Sequence, residues 1–180
     1  MPRLTLIGYR GTGKSTIASV LASSLKCSWI DADTELEREL GRSVAEIIQL
    51  DGEEAFRDAE SAVLRRLVGQ DLILATGGGV ILREANRMLL KTHGRPIVWL
   101  DADSFSVRLR LKTDPFTASR RPALSGKDVL EEVESTLRFR EPLYRECADV
   151  RIDTSSIDAV AVVRCIEVWL SSSDVMKEKR

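Results

Sequence analysis

Gly8-Tyr9-Arg10-Gly11-Thr12-Gly13-Lys14-Ser15 follows a short apolar run, Leu4 to Ile7, and precedes apolar residues at helical spacing, Ile17, Val20, Leu21 and Leu25. It matches the pattern G-x-x-x-x-G-K-[ST] in the strand-to-helix setting that the pattern requires. Glycines let successive backbone N–H groups converge on phosphate oxygens, and the helix N-terminus adds a favourable partial charge. In such a loop Lys14 reaches the β- and γ-phosphates and the Ser15 hydroxyl coordinates magnesium. A glycine-rich turn can also arise for packing alone. Average residue frequencies, however, give the whole pattern by chance in fewer than about one in a hundred chains of this length. The loop therefore predicts nucleotide binding.

Working outward, short β-branched apolar runs alternate with longer amphipathic stretches, the rhythm of βαβ units that build a parallel sheet covered on both faces. Five strands are expected: Leu4 to Ile7, Ser28 to Ile30, Leu72 to Ala75, Ile97 to Leu100 and Val150 to Ile152. Further helical stripes fall at Phe56, Ala59, Val63 and Leu67, at Val129, Val133 and Leu137, and at Val160, Val163, Ile166 and Leu170. These stripes read as core. Residues 112 to 127 carry Pro115, Pro122 and Gly126 among polar residues, which suits a mobile lid over about 112–125. Residues 171 to 180 read as a polar tail, leaving one domain over 1–170.

The chain has 180 residues, with 27 Lys and Arg against 28 Asp and Glu, so nothing in its total charge attracts nucleic acid or anionic lipid. No apolar run approaches the ~18 residues that span a bilayer, and the first residues are too short for a signal peptide. The expectation is a cytoplasmic protein, binding neither membrane nor nucleic acid, and a monomer. Three cysteines without C-x-x-C spacing argue against a disulfide framework or a structural zinc site. The single His93 sits before Gly94, where a helix should end, and reads as a capping or solvated residue. A histidine-rich metal centre and a Ser-His-Asp triad are thereby disfavoured.

The guanine-reading N-K-x-D and the D-x-x-G switch are both absent, and the chain has no room for the extra elements of a motor ATPase. A compact kinase is left, in which phosphoryl transfer is done by positioning and charge stabilisation. On the acceptor side, Asp31-Ala32-Asp33 ends the second expected strand, and strand alternation would aim both carboxylates at the mouth of the sheet. Helix capping by Asp33 or Thr34 is the competing reading. Arg57 and Glu60 stand one turn apart, the spacing of a solvated ion pair. Gly77-Gly78-Gly79 follows the third strand, where close approach of backbone to ligand competes with a plain tight turn. Arg140 lies two residues before Pro142, where the helix should stop and free its guanidinium to face a ligand.

Together these residues resemble the shikimate kinase family over about Leu4 to Trp169. The ordered motifs are Gly8 to Ser15, Ile30-Asp31-Ala32-Asp33, Gly41-Arg42-Ser43, Asp51-Gly52-Glu53 with Phe56-Arg57 and Glu60, Thr76-Gly77-Gly78-Gly79, Arg121-Pro122-Ala123-Leu124 and Arg140-Glu141-Pro142-Leu143-Tyr144. The resemblance implies a lidded P-loop kinase with a five-stranded parallel sheet in 2-3-1-4-5 order. Its reaction is transfer of the ATP γ-phosphate to the 3-hydroxyl of shikimate in the chorismate pathway. It further implies that Asp33 activates the acceptor hydroxyl, that Lys14 and Arg121 stabilise the phosphates, and that Gly11, Thr12, Gly13, Ser15 and Thr16 complete the nucleotide site. Arg57 and Arg140 would hold the shikimate carboxylate, Gly78 and Gly79 would border the substrate, and Ser15 with Asp31 would support Mg2+. The family's adenine-stacking arginine falls at Arg108 or Arg110. The interval from Val107 to Arg121 is longer than the usual family lid. A gluconate or nucleoside-phosphate kinase would not need Arg57, Gly79 and Arg140 together, and a non-catalytic nucleotide-binding regulator would not need Asp33.

Overall fold

The computed structural model describes residues 1–113 and 129–172. Five parallel strands form one sheet in these residues: β1 (Leu4–Ile7), β2 (Trp29–Asp31), β3 (Ile73–Ala75), β4 (Ile97–Asp101) and β5 (Val150–Asp153). Their order is β2-β3-β1-β4-β5, as the resemblance implied. β1 falls where expected; the other four strands shift by one residue at one or both ends.

Both faces of the sheet are apolar, so alternation sorts side chains between two cores rather than between core and water. Leu4, Leu6, Ile73, Val98 and Leu100 point to one side, against α1 (Lys14–Leu25) and the last described helix, α8 (Ala159–Ser172). Ile7, Leu74, Ile97 and Trp99 point to the other. There they meet Leu36 of α2 (Ala32–Leu40), Ile47 of α3 (Val44–Asp51), Phe56 and Leu64 of α4 (Glu53–Leu67), and Leu90 of α5 (Glu84–His93). Tyr144 joins the same core from α7 (Val129–Cys147), while Val107 of α6 (Ser104–Thr113) packs with Tyr9 and Val133 in a smaller cluster. Among the described side chains the expected stripes lie in or against the core, with one exception: Val160 is 53% exposed.

Local signals explain the helix boundaries. Gly41, with φ of 63°, ends α2 in the left-handed conformation, and Ser43 opens α3 through a capping box with Glu46. Gly41-Arg42-Ser43 is thus a helix-to-helix connector. Three expectations need correction. The second strand ends at Asp31 and α2 starts at Ala32, so Asp33 lies in the first helical turn and the alternation argument does not apply to it. Pro142 does not stop its helix, which runs through it to Cys147. Tyr144 and Cys147 beyond it are buried in the main core, and that packing offsets the lost backbone bond. Finally, Lys112 and Thr113 close α6, and Ser171 and Ser172 close α8, so neither pair is loop or tail. The remainder of the expected lid, including Arg121, and residues 173–180 lie outside the described residues. No helix among the described residues is long and apolar enough to cross a membrane.

Candidate active site

The carboxyl ends of β1, β3 and β2 lie side by side and deliver three segments to one edge: Gly8 to Ser15, Gly77 to Gly79, and Asp31 to Asp33. This is where open α/β sheets bind ligands. Gly8 takes a φ of 145°, and a Cβ there would overlap the Leu100 carbonyl, so the loop turns only because this residue has no side chain. Thr12 is buried, and its hydroxyl donates to Tyr9 O at 2.8 Å, closing the turn. Lys14 Nζ donates to Gly8 O and Tyr9 O, both at 2.9 Å, which holds the cation inside the loop. The N-cap of α1 is Gly13, with no side-chain cap, so the first N–H groups of that helix face the site without a competing side-chain acceptor.

A cavity of about 460 Å3 opens over this loop, lined by Gly13, Lys14, Ser15, Asp31, Asp33 and Arg110 among others. Gly11 and Thr16 also line it, whereas Thr12 does not. Asp31, rather than Asp33 or Thr34, caps α2: its Oδ1 accepts from Asp33 N at 3.0 Å and Thr34 N at 3.1 Å, while its Oδ2 accepts the Ser15 hydroxyl. Capping and site chemistry thus fall on one carboxylate, and Asp33 is freed from capping to line the cavity.

A second cavity of about 210 Å3 adjoins the first, lined by Tyr9, Ile48, Arg57, Glu132, Thr136 and Arg140 among others. Arg10 and Gly78 line both cavities and mark their junction. Arg57 does not make the solvated ion pair its spacing suggests. It is 7% exposed and Glu60 only 4%, with Arg57 Nη1 donating to Glu60 Oε2 at 2.8 Å and Nη2 to Glu53 Oε1 at 3.1 Å. The guanidinium also covers the Phe56 ring, 4.8 Å from its centroid. Burial opposes its charge, but Glu60 and then Glu53 outweigh burial and hold the pKa above its ordinary value.

Arg140 reaches the second cavity from within a continuous helix rather than from a helix end. Its Nη1 donates to Gly78 O at 3.0 Å, its guanidinium lies 5.6 Å from the Tyr9 ring centroid, and its buried Nε has no hydrogen-bond partner among the described residues. Gly77 and Gly79 make room for side chains, and Gly78 for the backbone of the phosphate loop. A Cβ on Gly77 would sit 2.5 Å from Asp33 Oδ1, one on Gly78 3.2 Å from Arg10 N, and one on Gly79 2.7 Å from Arg57 Nη2. None of the three needs a left-handed φ, so space rather than flexibility demands glycine here.

Two further arginines tie the elements of the site together. Arg110 Nη1 donates to Gly11 O at 3.3 Å and to Thr154 Oγ1 at 3.1 Å, anchoring α6 on the phosphate loop, whereas Arg108 lies over Phe105. Arg10 faces Glu132 at 3.9 Å, a pairing across more than a hundred residues that no local pattern announces.

Such a phosphate loop, with a carboxylate across its cavity and a second, arginine-bearing cavity beside it, defines a P-loop kinase. The chain matches the shikimate kinase family over residues 10–170. It is 47% identical over 153 residues to a shikimate kinase of Rhodopirellula baltica, covering 84% of this chain and 81% of that one. Its fold superposes on shikimate kinase from Acinetobacter baumannii in complex with shikimate with a TM-score of 0.87 at 33% identity, covering 94% and 92% of the two chains. For shikimate kinase from Aquifex aeolicus the TM-score is 0.74 at 28% identity, over 95% and 96%. The chain belongs to the shikimate kinase family.

Proposed function

We propose that this protein transfers the γ-phosphoryl group of ATP to the 3-hydroxyl of shikimate, releasing ADP and shikimate 3-phosphate for chorismate synthesis. The observation that carries this reading is the pair of cavities meeting at Arg10 and Gly78: one holds the phosphate loop and Asp33, the other Arg57 and Arg140. Two guanidiniums suit a small carboxylate, and the Asp33 carboxylate in the adjoining cavity suits a hydroxyl.

ATP occupies the larger cavity, with Lys14 exchanging the Gly8 and Tyr9 carbonyls for phosphate oxygens. Ser15 and Asp31 offer adjacent hard oxygens on one wall, the donor type that Mg2+ selects, and the bound ion would neutralise charge between the phosphates. Arg57 and Arg140 take the shikimate carboxylate and so aim the ring hydroxyl at Asp33. Asp33 accepts the hydroxyl proton as the oxygen–phosphorus bond forms and the bond from the γ-phosphorus to the bridging oxygen breaks, the electron pair leaving with ADP. The resemblance assigns Arg121, which lies outside the described residues, to the transferring phosphate, where a guanidinium would neutralise developing charge.

The test is ADP release with magnesium and ATP, comparing shikimate, quinate, gluconate, nucleoside monophosphates and no acceptor. The expected result is shikimate-dependent release that falls by about 10²- to 10⁴-fold in Asp33→Asn. Release with gluconate or a nucleotide in place of shikimate would overturn the acceptor assignment.

A further inference from the structure

Tyr144 is 1% exposed and takes no part in the chemistry above. Its ring stacks on Trp99, with centroids 5.7 Å apart and planes at 21°, and its hydroxyl donates to Gly78 O at 2.6 Å. That carbonyl also receives Arg140 Nη1 at 3.0 Å. Arg140 and Tyr144 are four residues apart on α7 and therefore share one face, so the helix delivers two donors to a single acceptor. Burial pushes the Tyr144 hydroxyl far above its ordinary pKa, and it stays a donor at every working pH.

The consequence falls on Arg140. A guanidinium offers its five N–H groups in a fixed fork, and spending Nη1 on Gly78 O settles which edge is left for a ligand. The remaining edge begins at Nε, which is buried and has no hydrogen-bond partner among the described residues. We infer that Tyr144 is a positioning residue. By anchoring the Gly78 carbonyl it fixes the Arg140 guanidinium so that the Nε edge meets the acceptor carboxylate. The same Gly78–Gly79 peptide carries the Gly79 N–H, so the clamp also sets the backbone that borders the acceptor. The inference rests on the acceptor reading above.

Tyr144→Phe keeps the ring on Trp99 and removes only the hydroxyl. The KM for shikimate should rise about three- to tenfold, with kcat and the KM for ATP within about twofold, as expected for one lost hydrogen bond that acts on binding. The ratio of variant to wild type should return toward one with shikimate methyl ester, which presents no carboxylate charge to Arg140. Combined with Arg140→Lys, Tyr144→Phe should add little, because both act through one contact. An unchanged shikimate KM, additive effects in the double variant, or an equal penalty on acid and ester would each overturn the inference. So would a loss shared equally with ATP and accompanied by a lowered melting temperature. Should Tyr144→Phe fail to fold, the Arg140 Nε–H resonance of the 15N-labelled wild type decides: a sharp signal that shifts with shikimate supports the clamp, and a motionally averaged one overturns it. Wild-type enzyme that ignores shikimate would instead sink the acceptor reading, and the clamp with it.

Discussion

The Ser15 hydroxyl on α1 donates to Asp31 Oδ2 at the end of β2, tying the phosphate loop to the acceptor side of the sheet. The other oxygen of the same carboxylate caps α2, so Asp31 has a structural and a functional contact on separate atoms. Asp31→Asn separates them. Asparagine caps helices about as well as aspartate, so stability should change by less than about 1 kcal/mol. The lost charge should raise the magnesium concentration for half-maximal activity by about tenfold or more. Unfolding curves and a magnesium titration check the two halves, and an unaltered magnesium requirement would remove Asp31 from the ion's environment.

Gly79→Ala tests whether the glycine run exists for space. The added methyl would press on the Arg57 guanidinium, which is held from its other sides by Glu60, Glu53 and Phe56 and cannot simply swing away. Displacing it by an ångström should lower kcat/KM for shikimate by about 10²-fold, with a much smaller effect on the KM for ATP. Wild-type kinetics in this variant would mean that Arg57 yields without cost. Gly77→Ala should lower both kcat and kcat/KM for shikimate, since its methyl meets Asp33 and also Glu60, the partner of Arg57.

The sheet and the phosphate loop were legible in the sequence because both depend on short-range patterns. β1 is read from four buried residues in a row, and the loop from glycine and lysine at fixed spacing. What was not legible depends on contacts across the chain. The Arg57–Glu60 spacing looks like an exposed helical pair, and only the burial of α4 against α2 and α3 turns it into a site. Pro142 reads as a helix end, because nothing local reveals that Tyr144 beyond it is locked into the core. Asp31 and Asp33 reach the cavity by a route other than strand alternation: Asp31 ends β2 and caps α2, and Asp33 follows in the first turn of that helix.

Glu35 gives a pH signature. The Arg38 guanidinium beside it, with Arg66 from α4 adding to the effect against some burial, lowers its carboxyl from 4.5 to about 2. A carboxyl with a lowered folded-state pKa contributes stability above its unfolded value, and that contribution disappears as pH falls through the folded one. The loss therefore belongs between pH 4.5 and about 2. Glu35→Gln, which cannot ionise, should show a lower urea midpoint than wild type at pH 5 and above, and the gap should close on approaching pH 2. A gap of constant size across this range would show that the pairs do not depend on the charge of Glu35. Because α2 carries Asp33 and α4 carries Arg57, the same clamp holds two sides of the proposed acceptor site in register.

Arg108 and Arg110 are the two candidates for contacting the nucleotide beyond its phosphates, and helix geometry separates them. Two residues apart on α6, they point about 160° from one another, so one faces the site and the other leaves it. Arg110 is the inward one: it reaches Gly11 O and Thr154, and lines the larger cavity. Arg108 rests over Phe105, itself 63% exposed. Arg110→Ala should raise the KM for ATP by about tenfold, the cost of losing hydrogen bonds from a charged donor, while leaving the KM for shikimate nearly unchanged. Arg108→Ala should alter neither by more than about twofold. Calorimetric titration of ADP into folded Arg110→Ala separates lost affinity from lost stability, since α6 is itself anchored by this arginine. Equal effects of the two substitutions would mean that the helix as a whole, and not one guanidinium, shapes the nucleotide site.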